Sequence, residues 1–432
     1  MSQNLTVTLT NLSLAQLVEF MASLGEPAYR ARQVYRWLYR SLAGDFSAMH
    51  NLPAALRSRL AEVARVGSLQ PVTTLTSADG LTRKVLFRLA DSNTIESVLM
   101  LYAPGNDSRA RRTVCVSTQA GCALDCAFCA TGKGGFGRNL TAGEIVEQVL
   151  YFARQFPLSL RAQRSNLSHG ATVRLLRRCS PLKHHHALLP ETAGVMALHR
   201  NDSQEASEVL NADSSPMTNV IFAGMGEPLA NYAATWAAVE RLNDPAGFGL
   251  GARHMTISTA GIVLGIRRLA GEKLQVNLAI SLHAPDDVLR AKLMPIARRY
   301  PLAELLAACR EYGDKTGRRV SFEYILIDGV NSSPAQARQL AALLEGLLCH
   351  VNLIPMNPIA ESPWRPPSRE VVLVFERELA RRGIATTVRL ERGVEIQAAC
   401  GQLRAQHSGE TKKPAHSVRG WRGEVAVMAS LK

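Results

Sequence analysis

From about residue 113 to residue 382 the chain keeps returning to one arrangement, a short β-branched run followed by a helical pattern. That alternation leaves few folds open. TVCVSTQ (113–119), IFAG (221–224), HMTIST (254–259), VNLAISL (276–282), VSFEYILI (320–327) and VNLIPM (351–356) read as strands. Helical patterns follow at 141–156 and near 232–242, 262–270, 301–313, 334–348 and 368–382. Six such units predict an α/β fold whose parallel strands roll into an open, partial (βα)6 barrel rather than a closed eight-stranded one. Ligands of such folds sit at the carboxyl ends of the strands, so strand-end residues are the ones to search.

The first strand runs into GCALDCAFC (121–129), which places Cys122, Cys126 and Cys129 on one short loop. Three thiolates bind zinc or an iron–sulfur cluster. Structural zinc normally completes its tetrahedron from a second Cys or His knuckle, and none follows here. The remaining five cysteines are scattered at 115, 179, 309, 349 and 400, a usage that fits a reducing compartment better than a disulfide framework. Isolated cysteines are often simply buried and inert, and that reading stands beside any other for Cys115 and Cys400.

Fifty Lys and Arg against thirty-six Asp and Glu give a net charge of +14, an excess that favours a polyanionic partner. No stretch reaches the ~20 apolar residues of a membrane span. The start, MSQNLTVTLTNLS, lacks a basic segment leading into an apolar one, so a cytoplasmic location is expected.

Residues 1–66 read as a helical module. Its second helix, PAYRARQVYRWLYRSLA, carries Arg30, Arg32, Arg36 and Arg40 among Tyr29, Tyr35, Trp37 and Tyr39. Arginine interleaved with aromatics suits phosphate contact and base stacking, and a packed amphipathic helix with a solvated basic face explains the same pattern. Residues 67–108 alternate as a small β extension with an Asp-Gly turn at 79 and 80, and Glu96 lies in its last strand. A core follows at 109–403, interrupted by a polar stretch at 157–216 that reads as a disordered insertion, and an extension at 404–432 ends the chain. The insertion holds Cys179 and the run His184, His185, His186, whose composition alone gives little support for a metal site.

Strand-end motifs supply the rest. GMGEPL (224–229) combines Gly224 and Gly226, which let a backbone approach a ligand, with the carboxylate of Glu227. Ser258, the Ser281, Leu282, His283 run and Asn357 end later strands. In this order CVSTQAGCALDCAFC, GMGEPLANY, ISTAG, SLHAP, IPMNP and AACGQL resemble the RlmN family, the radical S-adenosylmethionine (SAM) methyltransferases of adenine C2 in 23S rRNA and tRNA. The likeness runs from about residue 12 to 403 and leaves out the insertion and tail. RLERGVEI (389–396) departs from the acidic approach to the last cysteine that relatives carry.

The resemblance implies a [4Fe-4S] cluster on Cys122, Cys126 and Cys129, and two SAM molecules per turnover bound through Gly226, Glu227, Ser258, Ser281, Leu282, His283 and Asn357. It implies that Cys400 is methylated and a radical formed on its S-methyl group adds to the unreactive C2. Cys115 then resolves the protein–RNA adduct, ending in a Cys115–Cys400 disulfide, and Glu96 accepts a proton. It also implies 23S rRNA and tRNA as partners, an electron donor such as flavodoxin or ferredoxin, no membrane and a monomer. Three rivals stand beside it: a Cfr-like adenine-C8 methyltransferase of rRNA, a non-catalytic zinc-bound RNA-binding protein, and a damaged copy of the enzyme.

Overall fold

Among the described residues one ten-stranded sheet carries the fold, and the chain reaches it after a helical start. The computed structural model describes residues 6–104, 109–156, 216–357 and 363–389. The expected insertion, apart from residue 216, and the tail lie outside the described residues, as do Cys179, His184 to His186 and Cys400.

Strands β1 (Val7–Thr8) and β2 (Ala64–Arg65) pair in parallel and bracket the helices Leu14–Ser23, Ala28–Tyr39 and Ala54–Val63. The first helix starts with a capping box. Ser13 Oγ accepts the N–H of Gln16, and the Gln16 side chain accepts the N–H of Ser13. Gly25, at φ +75°, ends that helix in the left-handed region. In the second helix Ala31, Val34, Tyr35, Leu38 and Tyr39 recur at helical spacing and are all buried. The expected arginine-and-aromatic face therefore divides. Tyr35 and Tyr39 are core residues, with Tyr35 Oη donating to Asp244 at 2.9 Å, whereas Arg32, Arg36 and Arg40 stand one turn apart on the exposed face.

The helical module is joined to the barrel by buried polar contacts as well as by a continuous apolar core. Glu147, within the helix Ala142–Ala153, accepts from Thr10 Oγ1 and from the N–H groups of Ser68 (2.6 Å) and Leu69 (2.8 Å). Arg154 donates to the carbonyls of Leu42 (3.0 Å) and Ala43 (3.2 Å), and Arg241, in the helix Tyr232–Asn243, to those of Thr10 and Asn11. Buried groups of this kind are costly to expose, so the module and barrel hold one another together.

The sheet comprises β3 (Gln70–Thr76), β4 (Thr82–Arg88), β5 (Thr94–Tyr102), β6 (Arg111–Val116), β9 (Asn219–Phe222), β10 (Met255–Thr259), β11 (Asn277–Ser281), β12 (Val320–Leu326), β13 (Cys349–Pro355) and β14 (Thr386–Val388). A separate hairpin of β7 (Gln119–Gly121) and β8 (Phe136–Asn139) stands between β6 and the helix Ala142–Ala153. From β6 to β14 every neighbouring pair is parallel, while β3, β4, β5 and β6 pair antiparallel, so the β extension continues the barrel sheet. Arg389, just past β14, brings Nη2 to 4.0 Å from Met100 Sδ on β5, although six strands lie between them in the sheet. Only a strongly rolled sheet allows that contact. Outward residues such as Leu278, Ile280, Phe322 and Tyr324 are buried beneath helices, and the alternate residues Asn277, Ser281, Ser321 and Glu323 are half-buried on the inner face.

The six expected parallel strands are present as β6 and β9–β13. The sequence reading missed β14, three residues that pair on the edge of β13, and the seven-residue helix Asp287–Leu293, whose N-cap Asp286 accepts the N–H of Leu289 at 2.8 Å. Elements this short show no periodicity to read.

Candidate active site

The β7–β8 hairpin clamps the base of the thiol loop. Cys122 N–H donates to Gly135 O at 2.9 Å, Cys129 N–H to Cys126 O at 3.1 Å, and Ala127 N–H to Leu293 O at 2.9 Å. Asp125, at φ +47°, makes the tight turn between the first two thiols. All three cysteines are half-buried. Burial pushes the Cys122 thiol up to about 12, with Cys129 and Glu227 adding to the effect, and burial followed by Cys129 and Cys122 raises Cys126. The sulfurs thus feel one another. They are not a ready-made ligand set, since among the described residues no three His, Cys, Asp or Glu side chains converge in metal-holding geometry.

GMGEPL follows β9 and lies against the strand that leads into the loop. A Cβ on Gly224 would stand 2.7 Å from the Val116 backbone, and one on Gly226, at φ +94°, 2.4 Å from Gln119 Cβ. What these glycines approach in the structure is therefore the protein itself. Glu227 is buried and accepts from Leu229 N–H (3.0 Å) and Ala260 N–H (2.7 Å), which fastens the end of β9 to the end of β10. A carboxylate has about four acceptor positions, so capacity remains for a ligand amine.

Burial pushes the Glu227 carboxyl from 4.5 up to about 6, against its hydrogen bonds from Ala260, Thr259 and Leu229. Between those values the folded chain binds more protons than the unfolded one, so stability falls as pH rises through that window, by ~2 kcal/mol at neutrality. Glu227→Gln is expected to abolish that part of the pH dependence, read from urea unfolding on either side of the window.

Ser258 and Ser281 are half-buried on the inner faces of β10 and β11, in a ladder that pairs Ser258 with Ala279 and Ser281 with Glu323. His283 follows at φ +60°, and its Nδ1 accepts Ile325 N–H at 3.0 Å, which leaves the ring proton on Nε2. Burial, reinforced by the charge of Arg290, drives its pKa down to about 3, so the ring is neutral at physiological pH. The edge of Phe128, in the thiol loop, meets this ring at 4.8 Å between centroids. Asn331, fully buried, holds the turn by donating to His283 O (2.9 Å) and Ile325 O (2.6 Å) and accepting Ile327 N–H (2.7 Å). Asn357, two residues beyond β13, has its Oδ1 buried with no hydrogen-bond partner among the described residues, an acceptor that a bound donor would satisfy.

Glu96 and Cys115 meet through strand pairing. Cys115 on β6 is directly opposite Val98 on β5, and Glu96, two residues from Val98, shares its face. The basic loop that separates them in sequence does not matter to this register. Ser117 Oγ donates to Glu96 O at 2.6 Å and accepts Met225 N–H at 2.9 Å, while Met225 Sδ accepts Glu96 N–H at 3.3 Å, so the Glu96 strand is fastened to GMGEPL. Lys84 on β4 places Nζ 2.8 Å from Glu96 Oε2, with the two side chains 0% and 2% exposed. Sequence reasoning missed Lys84, Asn331 and Arg290. In TRKVLFR the alternation puts Lys84 on one face of a strand, and nothing local says that face is covered.

The motifs Gly226–Glu227, Ser258, Ser281–His283 and Asn357 thus sit at neighbouring strand ends beside the thiol loop, with Glu96 and Cys115 on the adjoining strands. Comparison with known proteins identifies the family. Residues 7–66 match the family model described as ribosomal RNA large subunit methyltransferase N-terminal domain. A protein of Roseiflexus sp. (strain RS-1), named "Probable dual-specificity RNA methyltransferase RlmN", is 48% identical over 413 residues, covering 93% of this chain and 97% of its own. The chain belongs to the RlmN family. A second RlmN, from Chloroflexus aurantiacus, is 46% identical and covers 95% of this chain and 98% of its own. The crystal structure of a radical SAM methyltransferase from Sphaerobacter thermophilus superposes with a TM-score of 0.74 at 47% identity, over 92% of this chain and 98% of that one. Membership of the RlmN family makes the chain a SAM-dependent RNA methyltransferase with a radical SAM barrel. Among the described residues no helix is long and apolar enough to cross a membrane.

Proposed function

We propose that the chain methylates C2 of adenosine in 23S rRNA and in tRNA, working in the cytoplasm, with Cys400 as methyl carrier, Cys115 as resolving thiol and Glu96 as proton acceptor. The observation that carries this reading is the β5–β6 pairing, which puts Glu96 and Cys115 on one face at the strand end that runs into the thiol loop. Both groups then border any adenine brought to the barrel mouth.

Cys122, Cys126 and Cys129 would hold a [4Fe-4S] cluster, and Gly226, Glu227, Ser258, Ser281, Leu282, His283 and Asn357 would hold SAM. The donor chemistry fits. Three soft, half-buried thiols on one loop, of which burial keeps Cys122 and Cys126 protonated, suit a metal that displaces their protons, and Asn357 Oδ1, without a partner among the described residues, can accept from a bound donor. When bound, the pair supplies the methyl group and the one-electron chemistry that an inert C2 requires. The chain's own residues orient the base, keep a neutral imidazole at His283, hold a carboxylate beside the reacting carbon and place Cys115 to attack the sulfur of Cys400. A flavodoxin- or ferredoxin-type donor would supply electrons.

Anaerobic reconstitution with iron and sulfide, followed by mass spectrometry of modified RNA, tests the proposal. Expected are a broad visible absorption and 2-methyladenosine. A methyl on C8 would make the enzyme Cfr-like, and stoichiometric zinc without methylation would point to a non-catalytic RNA-binding protein.

RNA grip falls to Arg32, Arg36 and Arg40, one exposed stripe on a rigidly held helix. Replacing all three by Ala is expected to lower the salt dependence of RNA binding by about two to three counterions and to leave folding intact. An unchanged slope in a binding series from low to moderate salt would make the stripe a merely solvated face.

A further inference from the structure

The helix Asp287–Leu293 carries a guanidinium wholly inside the protein, for Arg290 is 0% exposed. Its Nε–H donates to Leu282 O (3.2 Å), Nη1 to Tyr300 O (3.2 Å) and Nη2 to Ala260 O (2.8 Å) and Ser281 O (3.4 Å). All four acceptors are neutral carbonyls. Among the described residues no carboxylate lies within ion-pair distance, and neighbouring Asp287 is exposed, its Oδ1 accepting Leu302 N–H at 2.8 Å. Buried ions are ordinarily paired, so a fully enclosed cation with only carbonyl partners calls for an anion nearby.

The thiol loop answers that demand. Ala127, between Cys126 and Cys129, donates its N–H to Leu293 O at 2.9 Å, and Leu293 lies three residues from Arg290 in the same helix, so the helix that carries the guanidinium is fastened directly to the thiol loop.

We propose that Arg290 is a positioning residue for the iron–sulfur cluster, a fixed counter-charge that raises its reduction potential while tying together the carbonyl ends of β10 and β11. The inference rests on the cluster reading given under Proposed function. A core with two positive charges held by three thiolates carries one net negative charge, and accepting one electron from a flavodoxin- or ferredoxin-type donor makes it two. A nearby cation favours the reduced form. Arginine suits the role because it stays protonated when buried. Burial lowers Arg290 to about 10, which still leaves it charged at neutral pH.

The test is an anaerobic redox titration of the reconstituted full-length enzyme, followed by electron paramagnetic resonance of the reduced cluster. Arg290→Gln, which keeps some hydrogen bonds and loses the charge, is expected to bind an electron about tenfold less tightly, a midpoint ~59 mV lower. Arg290→Lys, which keeps the charge and loses the fork of donors, should stay within about twofold of the parent. Equal midpoints in Arg290→Gln and the parent, or a tenfold fall in Arg290→Lys, would overturn the proposal. Should Arg290→Gln fail to fold, Asp287→Asn decides, since removing the opposing surface charge must raise the midpoint, and an unmoved one sinks the idea. A parent enzyme that takes up no iron and sulfide would overturn the cluster reading as well, whereas a full cluster with a charge-independent midpoint overturns the role of Arg290 alone.

Discussion

Cys115→Ala is expected to stop catalysis with RNA still covalently attached to the protein. Alanine keeps the Cβ and the β5–β6 ladder, and the half-buried thiol bears little of the core, so the variant should fold. What it removes is the nucleophile that frees the product from Cys400. Multiple-turnover methylation should drop ~10³-fold or more. A denaturing gel should show a slow-migrating protein–RNA conjugate that the parent lacks. Normal turnover by Cys115→Ala would refute the two-thiol scheme, whatever became of the cluster.

The second large effect is on stability. Lys84 and Glu96 form an ion pair at 2.8 Å with both side chains almost wholly enclosed. Removing one partner strips the other of its buried counter-charge, at a cost of about 3–5 kcal/mol. Lys84→Met should therefore unfold at markedly lower urea concentration. Lys84→Met combined with Glu96→Gln removes both charges and should recover most of the loss while methylation stays low, because the carboxylate is gone. A double variant no more stable than Lys84→Met would show that the pairing does not determine the cost.

Much of the site was legible in the residues. The six parallel strands and the strand-end placement of GMGEPL, ISTAG and SLHAP follow from local periodicity, and the structure contains them. The glycines of GMGEPL were legible as a close approach, but what they approach is the backbone near Val116 and the Gln119 side chain. The aromatic residues of the second helix were legible only as an amphipathic stripe. Which side faced the barrel was settled by the end of helix Tyr232–Asn243, where the C-cap residue Asp244 accepts from the Tyr35 hydroxyl. Local pattern made Glu96 legible as a strand residue and the family resemblance implied its role, but its place on the same face as Cys115 depends on a register between two strands.

Taken alone, the sequence determined the chemistry that short spacing controls. Three thiols within nine residues can meet in almost any loop, and alternating strand and helix patterns can bury themselves in few ways. The tertiary structure alone decided which charges are enclosed. KVLF and DVLRAKL look like ordinary amphipathic segments with solvated cations, yet Lys84 and Arg290 are fully buried. Burial is a sum of many weak contacts from strands and helices far apart in the chain, and no local pattern encodes that sum.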